Sequence, residues 1–120
     1  MWPPALNQCS LSVGYHDDDT IAYCKKEGIT YMAYSPLCGG PNGSSCRHGS
    51  VLSVPEVQAV AATHNVSAAQ VALKWSLQRG VAVVTGTDNP KHKHVDGRRD
   101  VTNPNADCKD GLVCNGVNLI

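Results

Sequence analysis

The chain contains no phenylalanine, only two tryptophans and four tyrosines. A compact core must therefore be built from Val, Ala, Leu, Ile and the two Trp. A charge surplus is missing too: ten Lys plus Arg balance ten Asp plus Glu. That argues against a nucleic-acid or anionic-membrane partner, which needs a basic excess on one face. No apolar run approaches the ~18 to 20 residues of a membrane helix. The opening "MWPPALNQ" has neither a basic segment nor an apolar one, so no signal peptide is expected and a cytoplasmic location is. What is present suits one small folded domain: 120 residues, 42% of them apolar.

Six cysteines stand at positions 9, 24, 38, 46, 108 and 114, with no C-x-x-C pair among them. Cys9 lies in a strand-like run and Cys24 in a helix-like one, so the expectation is free thiols in a reducing compartment. Cys108 and Cys114 are left open as a pair. The sequons at Asn42 and Asn65 are read as chance matches.

Periodicity and punctuation place the elements. "PALNQCSLS" (4–12) reads as a strand, and "DDDTIAYCKKEG" (17–28) as a helix capped by an Asp and stopped by Gly28. "ITYMAYSP" (29–36) is a second strand, followed by a Gly-, Pro- and Ser-rich loop over 37–50 whose only positive spot is Arg47-His48. "SVPEVQAVAATHN" (53–65) reads as a helix with Ser53 as cap, Pro55 in its first turn and Val57, Val60 and Ala61 on one face. In "SAAQVALKWSLQRG" (67–80), Ser67 and Gln70 have capping-box spacing, Val71 and Trp75 form a core stripe, and Gly80 ends the helix. "VAVVTGT" (81–87) is an unbroken apolar run of the kind buried on both sides of a parallel sheet. The order βαβ(αα)β predicts an α/β fold with a parallel sheet and right-handed crossovers.

In such folds the loops after the strands form the ligand face. Tyr34, Ser35 and Pro36 stand together at such a strand end. "LNQ" ending one strand, "AYSPL" ending the next, the helix "SAAQVALKWSLQRG" and the strand "VVTGT" together resemble the aldo-keto reductases, in that family's order and spacing. The resemblance runs from residue 4 to about 96. It implies a partial (β/α)8 TIM barrel: its last three parallel strands with their helices, a C-terminal segment over 1–97 and an irregular tail over 98–120.

The resemblance also implies an oxidoreductase that reduces small carbonyl compounds with NADPH or NADH, and it assigns positions to the cofactor. Tyr34 matches the tyrosine that stacks on the nicotinamide, and Gln8 the glutamine that bonds its carboxamide. Ser35, Pro36 and Leu37 continue onto the loop along the pyrophosphate. Gly86 and Thr87 stand where many members carry a lysine-serine pair for the adenosine 2′-phosphate, and His92 where a phosphate-clamping arginine often sits. Val95 and Asp96 replace an acid and an asparagine that hold the adenine, so the choice of NADP over NAD rests on the family alone. Taken without that context, His92 and His94 read as solvated loop histidines.

The family's catalytic Asp, Tyr, Lys and His lie on earlier strands, so no catalytic residue is assigned, and no metal. A complete barrel takes about 250 residues. Three strands of it leave two open parallel edges, a liability for aggregation. The expectation is thus a fragment: the cofactor-binding part of a reductase, inactive unless a chain supplying the missing half joins it. The alternative is a non-catalytic remnant or regulatory subunit that packs on a full-length relative.

Overall fold

A computed structural model of the chain describes residues 2–86. Three strands, β1 (Leu6–Ser10), β2 (Thr30–Tyr34) and β3 (Ala82–Val84), form a parallel sheet in the order β1-β2-β3. Helix α1 (Asp18–Lys26) crosses from β1 to β2. From β2 the chain passes through two single 3-10 turns, Gly40–Asn42 and Val51–Ser53, then α2 (Pro55–His64) and α3 (Ala68–Gln78), before reaching β3. The βαβ(αα)β order is therefore as expected, with the strands shorter than the apolar runs that announced them.

The helices are punctuated by the residues that the physics of helix ends demands. Asp17 caps α1, its carboxylate accepting from the Thr20 amide at 3.0 Å and from the Thr20 hydroxyl at 2.7 Å. These bonds hold its carboxyl below the usual carboxylate range. Gly28 and Gly80 follow α1 and α3 with φ of 69° and 76°, the left-handed conformation in which glycine escapes the Cβ penalty. Ahead of α3 the capping box is complete: the Gln70 amide donates to Ser67 Oγ, and the Ser67 amide donates to Gln70 Oε1. The start of α2 differs from expectation. Ser53 spends its hydroxyl on the Ser50 carbonyl, Val54 occupies the cap position with no side-chain bond, and Pro55 begins the helix.

Residue register sorts the side chains between two faces. On one face Tyr31, Ala33 and Val81 join Leu11, Cys24 and Ile29 in the main core, with Cys9, Ile21, Trp75 and Val83 packed against it. On the other face Leu6, Gln8, Tyr34 and Val84 remain exposed. Over its described residues, 81–86, the last apolar run is thus buried on one side rather than two: Val81 is buried, Val84 is 42% exposed. Among the described residues no element lies over that second face. The core also draws on other residues than expected. Trp2 is 71% exposed and Val60 lies outside, while Tyr31 is inside; Cys24 is buried as its place on the apolar side of α1 implies.

Trp75 does more than pack. The Arg79 guanidinium sits 4.6 Å from its ring centroid and pairs with Asp18 at the start of α1. The His16 ring lies 5.2 Å from the same indole, with Nδ1 3.1 Å from Asp18 Oδ1. These contacts clasp α3 to α1 on the helical side of the sheet.

Two outcomes follow from these contacts. Ser67→Ala is expected to lower stability by about 1 kcal/mol, read as a lower urea midpoint with an unchanged slope. Burial, and secondly the nearby Cys9 thiol, push the Tyr31 phenol up to about 12. The folded state therefore holds its proton longer than the unfolded chain does. Stability from this group is intact below about pH 10 and is lost as pH rises toward 12. Tyr31→Phe, which keeps the ring and gives up only a long 3.4 Å bond to the Ser10 carbonyl, should flatten that decline in pH-dependent denaturation.

Candidate functional site

The uncovered face and the loop beyond β2 meet at the carboxyl ends of the strands. Parallel register pairs Gln8 with Met32 and Ser10 with Tyr34, and pairs Tyr34 in turn with Val84. Gln8 and Tyr34 therefore point to the same side of adjoining strands. The Gln8 amide leans across its neighbour, with Nε2 3.9 Å from Met32 Sδ. Both residues are exposed, Tyr34 to 46%. A flat aromatic at the end of β2 and, from the middle of β1, an amide with donor and acceptor capacity are thus presented on one face.

Past Tyr34 the backbone turns sharply. Ser35 has φ of 53°, Cys38 of 54°, and the Cys38 amide donates to the Ser35 carbonyl at 3.0 Å. This tight turn sends Pro36 inward, fully buried, and leaves Ser35 and Leu37 half-exposed. Pro36 can therefore contribute only by setting the turn, whereas Ser35 keeps a hydroxyl within reach of solvent. Leu37 packs toward a second cluster formed by Cys38, Val51 and Ala72.

The free-thiol expectation fails at two positions. Cys38 and Cys46 form a disulfide, their Cα atoms 5.0 Å apart. The pairing follows from the loop's path: the Gly40–Asn42 turn doubles the chain back, so that the Ser45 amide donates to the Cys38 carbonyl at 3.1 Å. That brings Cys46 beside Cys38. The left-handed turn at Cys38 and the glycines at 39, 40 and 43 were the signal, and only their spacing in three dimensions reveals it. Cys9 and Cys24 are free. Cys108 and Cys114 lie outside the described residues.

The same loop is tied to the helices through Ser50. Its hydroxyl donates to the Gly40 carbonyl at 2.7 Å and accepts from the Leu52 amide at 3.2 Å. Gly43 makes this closure possible: a Cβ there would fall on the backbone of Gly49 and Ser50, and φ is already 60°.

Of the other residues singled out in the sequence, Gly86 is exposed just beyond β3. Thr87 and His92 lie outside the described residues, as do Val95, Asp96 and the tail over 98–120. Among the described residues, no group of three His, Cys, Asp or Glu side chains is placed to hold a metal ion. No described helix is long and apolar enough to cross a membrane.

Gly43→Ala is expected to cost about 1–3 kcal/mol, since backbone rather than a movable side chain stands in the way. Gly14→Ala, with nothing within 4 Å of the added carbon, should leave the urea midpoint almost unchanged.

Comparison with known proteins gives this geometry a family. The model of the Aldo/keto reductase family matches residues 1–95. Protein REDOX 2 of Catharanthus roseus is 32% identical over 87 residues, covering 72% of this chain and 26% of the relative. The Aldo/keto reductase slr0942 of Synechocystis is 33% identical over 92 residues, covering 74% and 28%. Aldehyde reductase YPR1 of Saccharomyces cerevisiae is 34% identical over 88 residues, covering 73% and 26%. A crystal structure of a Gox0644 mutant in complex with NADPH superposes with a TM-score of 0.63 at 29% identity, over 74% of this chain and 30% of that one. The matched region thus spans 26–28% of the length of these relatives. With the family model matching residues 1–95 of the 120, the chain belongs to the aldo/keto reductase family.

Proposed function

We propose that this chain is the cofactor-binding, C-terminal portion of an NAD(P)H-dependent aldo/keto reductase, three strands of a (β/α)8 barrel that is completed by further strands. One observation carries the reading. Gln8 and Tyr34 stand exposed on one face of adjoining parallel strands, at the end where ligands bind in this class of fold, with a tightly built loop directly beyond. The NADPH in the Gox0644 mutant structure supports the choice of ligand.

The residues present fit a nicotinamide dinucleotide. Tyr34 offers its ring face to a flat heteroaromatic, which fixes which side of the ring looks outward. The Gln8 amide has both a donor and an acceptor for a carboxamide, which fixes the ring's rotation. Beyond them the Ser35 hydroxyl and the backbone of Leu37 lie along the path toward the phosphates, with Pro36 holding the turn from below. The family resemblance assigns Gly86, Thr87 and His92 to the adenosine end. When bound, the dinucleotide supplies a hydride to a carbonyl carbon. The chain's own part is to orient that cofactor. No described residue is assigned as proton donor, and Tyr34 acts by stacking.

The uncovered sheet face supports a partner as well. Leu6, Tyr34 and Val84 are 43%, 46% and 42% exposed on a face that β-strands of the remaining barrel would cover. A chain supplying those strands would contribute the catalytic groups. A non-catalytic role, packing on a full-length relative, draws on the same face.

Calorimetric titration of the 120-residue chain with NADPH and NADH tests the reading. Tyr34→Ala should weaken NADPH binding by about tenfold and Gln8→Ala by about fivefold. Tyr34→Phe should keep nearly all of the affinity. Absence of binding by a chain shown to be folded by circular dichroism, or equal affinity in all variants, overturns it.

A further inference from the structure

The Cys38–Cys46 disulfide stands at a position that the reading above does not use. Cys38 is 1% exposed and sits in the cluster with Val51 and Ala72, only one residue past Leu37. Cys46 is at the outer side of that cluster, half-buried, with exposed Arg47, His48 and Gly49 following it. One end of the bridge is therefore anchored in the fold and the other holds down a polar surface segment. Apart from the bridge, the segment 43–49 is tied back by single backbone hydrogen bonds, Ser45 amide to Cys38 carbonyl and Gly43 amide to Gly40 carbonyl, each at 3.1 Å. Cys9 and Cys24 are thiols, so among the described cysteines the bridge belongs to this loop alone.

We propose that Cys38–Cys46 is a reducible latch on the loop after β2, and that opening it releases the loop and weakens its hold on the dinucleotide. The ligand half of this inference rests on the cofactor reading given above; the loop half does not. The bridge lies directly after Leu37, at the close of the turn that opens with left-handed Ser35 and ends with left-handed Cys38. With the bridge closed, the segment between the two cysteines is confined and the turn is held ready for a ligand. With it open, the segment gains conformational freedom that binding must then remove.

The chemistry needs a dithiol reductant. Its thiolate attacks Sγ of Cys46, the more accessible sulfur, and Arg47 beside it favours the approaching anion. The protein S–S bond breaks, the electron pair leaves on Cys38 Sγ, and that sulfur takes up a proton. The reductant's second thiol then displaces Cys46, which leaves as a thiol once protonated. The protein gains two electrons and two protons, and the reductant becomes its own disulfide.

The test compares the full chain before and after treatment with dithiothreitol, reading amide hydrogen exchange across residues 38–50 by mass spectrometry and NADPH affinity by calorimetry. Cys46→Ser serves as a permanently open form that leaves the buried Cys38 in place. Reduction should accelerate exchange in that segment and weaken NADPH binding, each by about tenfold. Cys46→Ser should match the reduced chain and no longer respond to the reductant. Unchanged exchange on reduction overturns the latch, as does a thiol count showing no bridge in the untreated chain. Faster exchange with unaltered NADPH affinity overturns its coupling to the ligand. Faster exchange in a chain that binds no NADPH in either state upholds the latch and overturns the cofactor reading.

Discussion

Leu11, Tyr31, Ala33 and Val81 pack with Cys24 and Ile29 on one side of the sheet, and on the other side the described residues provide nothing to pack against. This one-sided closure governs the rest of the structure. A three-stranded parallel sheet has a fixed alternation of side chains, so burying Tyr31 and Ala33 obliges Met32 and Tyr34 to face the opposite way. The same parity carries Gln8 to the open face and Cys9 to the covered one. The site is therefore a by-product of where the core lies. A slip of one residue in β1 would turn Gln8 to the covered face and Cys9 to the open one, damaging core and candidate site together.

How far the sequence was legible depended on how local each signal was. Asp17, Ser67 with Gln70, Gly28 and Gly80 act within a few residues of the helix ends they define, and all four end signals stand where their chemistry requires. Ser53 misled for an equally local reason: its hydroxyl had a competing acceptor in the Ser50 carbonyl. Burial was harder to read. The apolar run after Gly80 reads as a strand buried on two sides, but among the described residues no layer lies over the second face and Val84 is exposed. An apolar run records the character of the side chains and not what lies over them.

The least legible features were those made by distant residues. Nothing near Cys38 or Cys46 marks them as a pair until the Gly40–Asn42 turn reverses the chain. Trp75 looked like one more core residue because its spacing from Val71 is helical. Arg79 lies one helical turn on from it, but His16 and the Asp18 that joins His16 and Arg79 come from the distant start of α1. By contrast the pair Gln8 and Tyr34 was accessible through family resemblance, and the register of β1 on β2 gives that resemblance a physical form by setting both on one face.

The clasp between Arg79, Trp75 and Asp18 has a mechanical consequence. It joins the last turn of α3 to the first turn of α1, so the two helices on either side of β2 brace each other from outside the sheet. An exposed ion pair adds little to stability by itself; set against an indole, it works instead as a splint. The spacing of the helical layer, and with it the twist imposed on the strands beneath, is held without help from anything on the opposite face. Three strands braced in this way have their spacing set from one side alone, as planks are held by a batten.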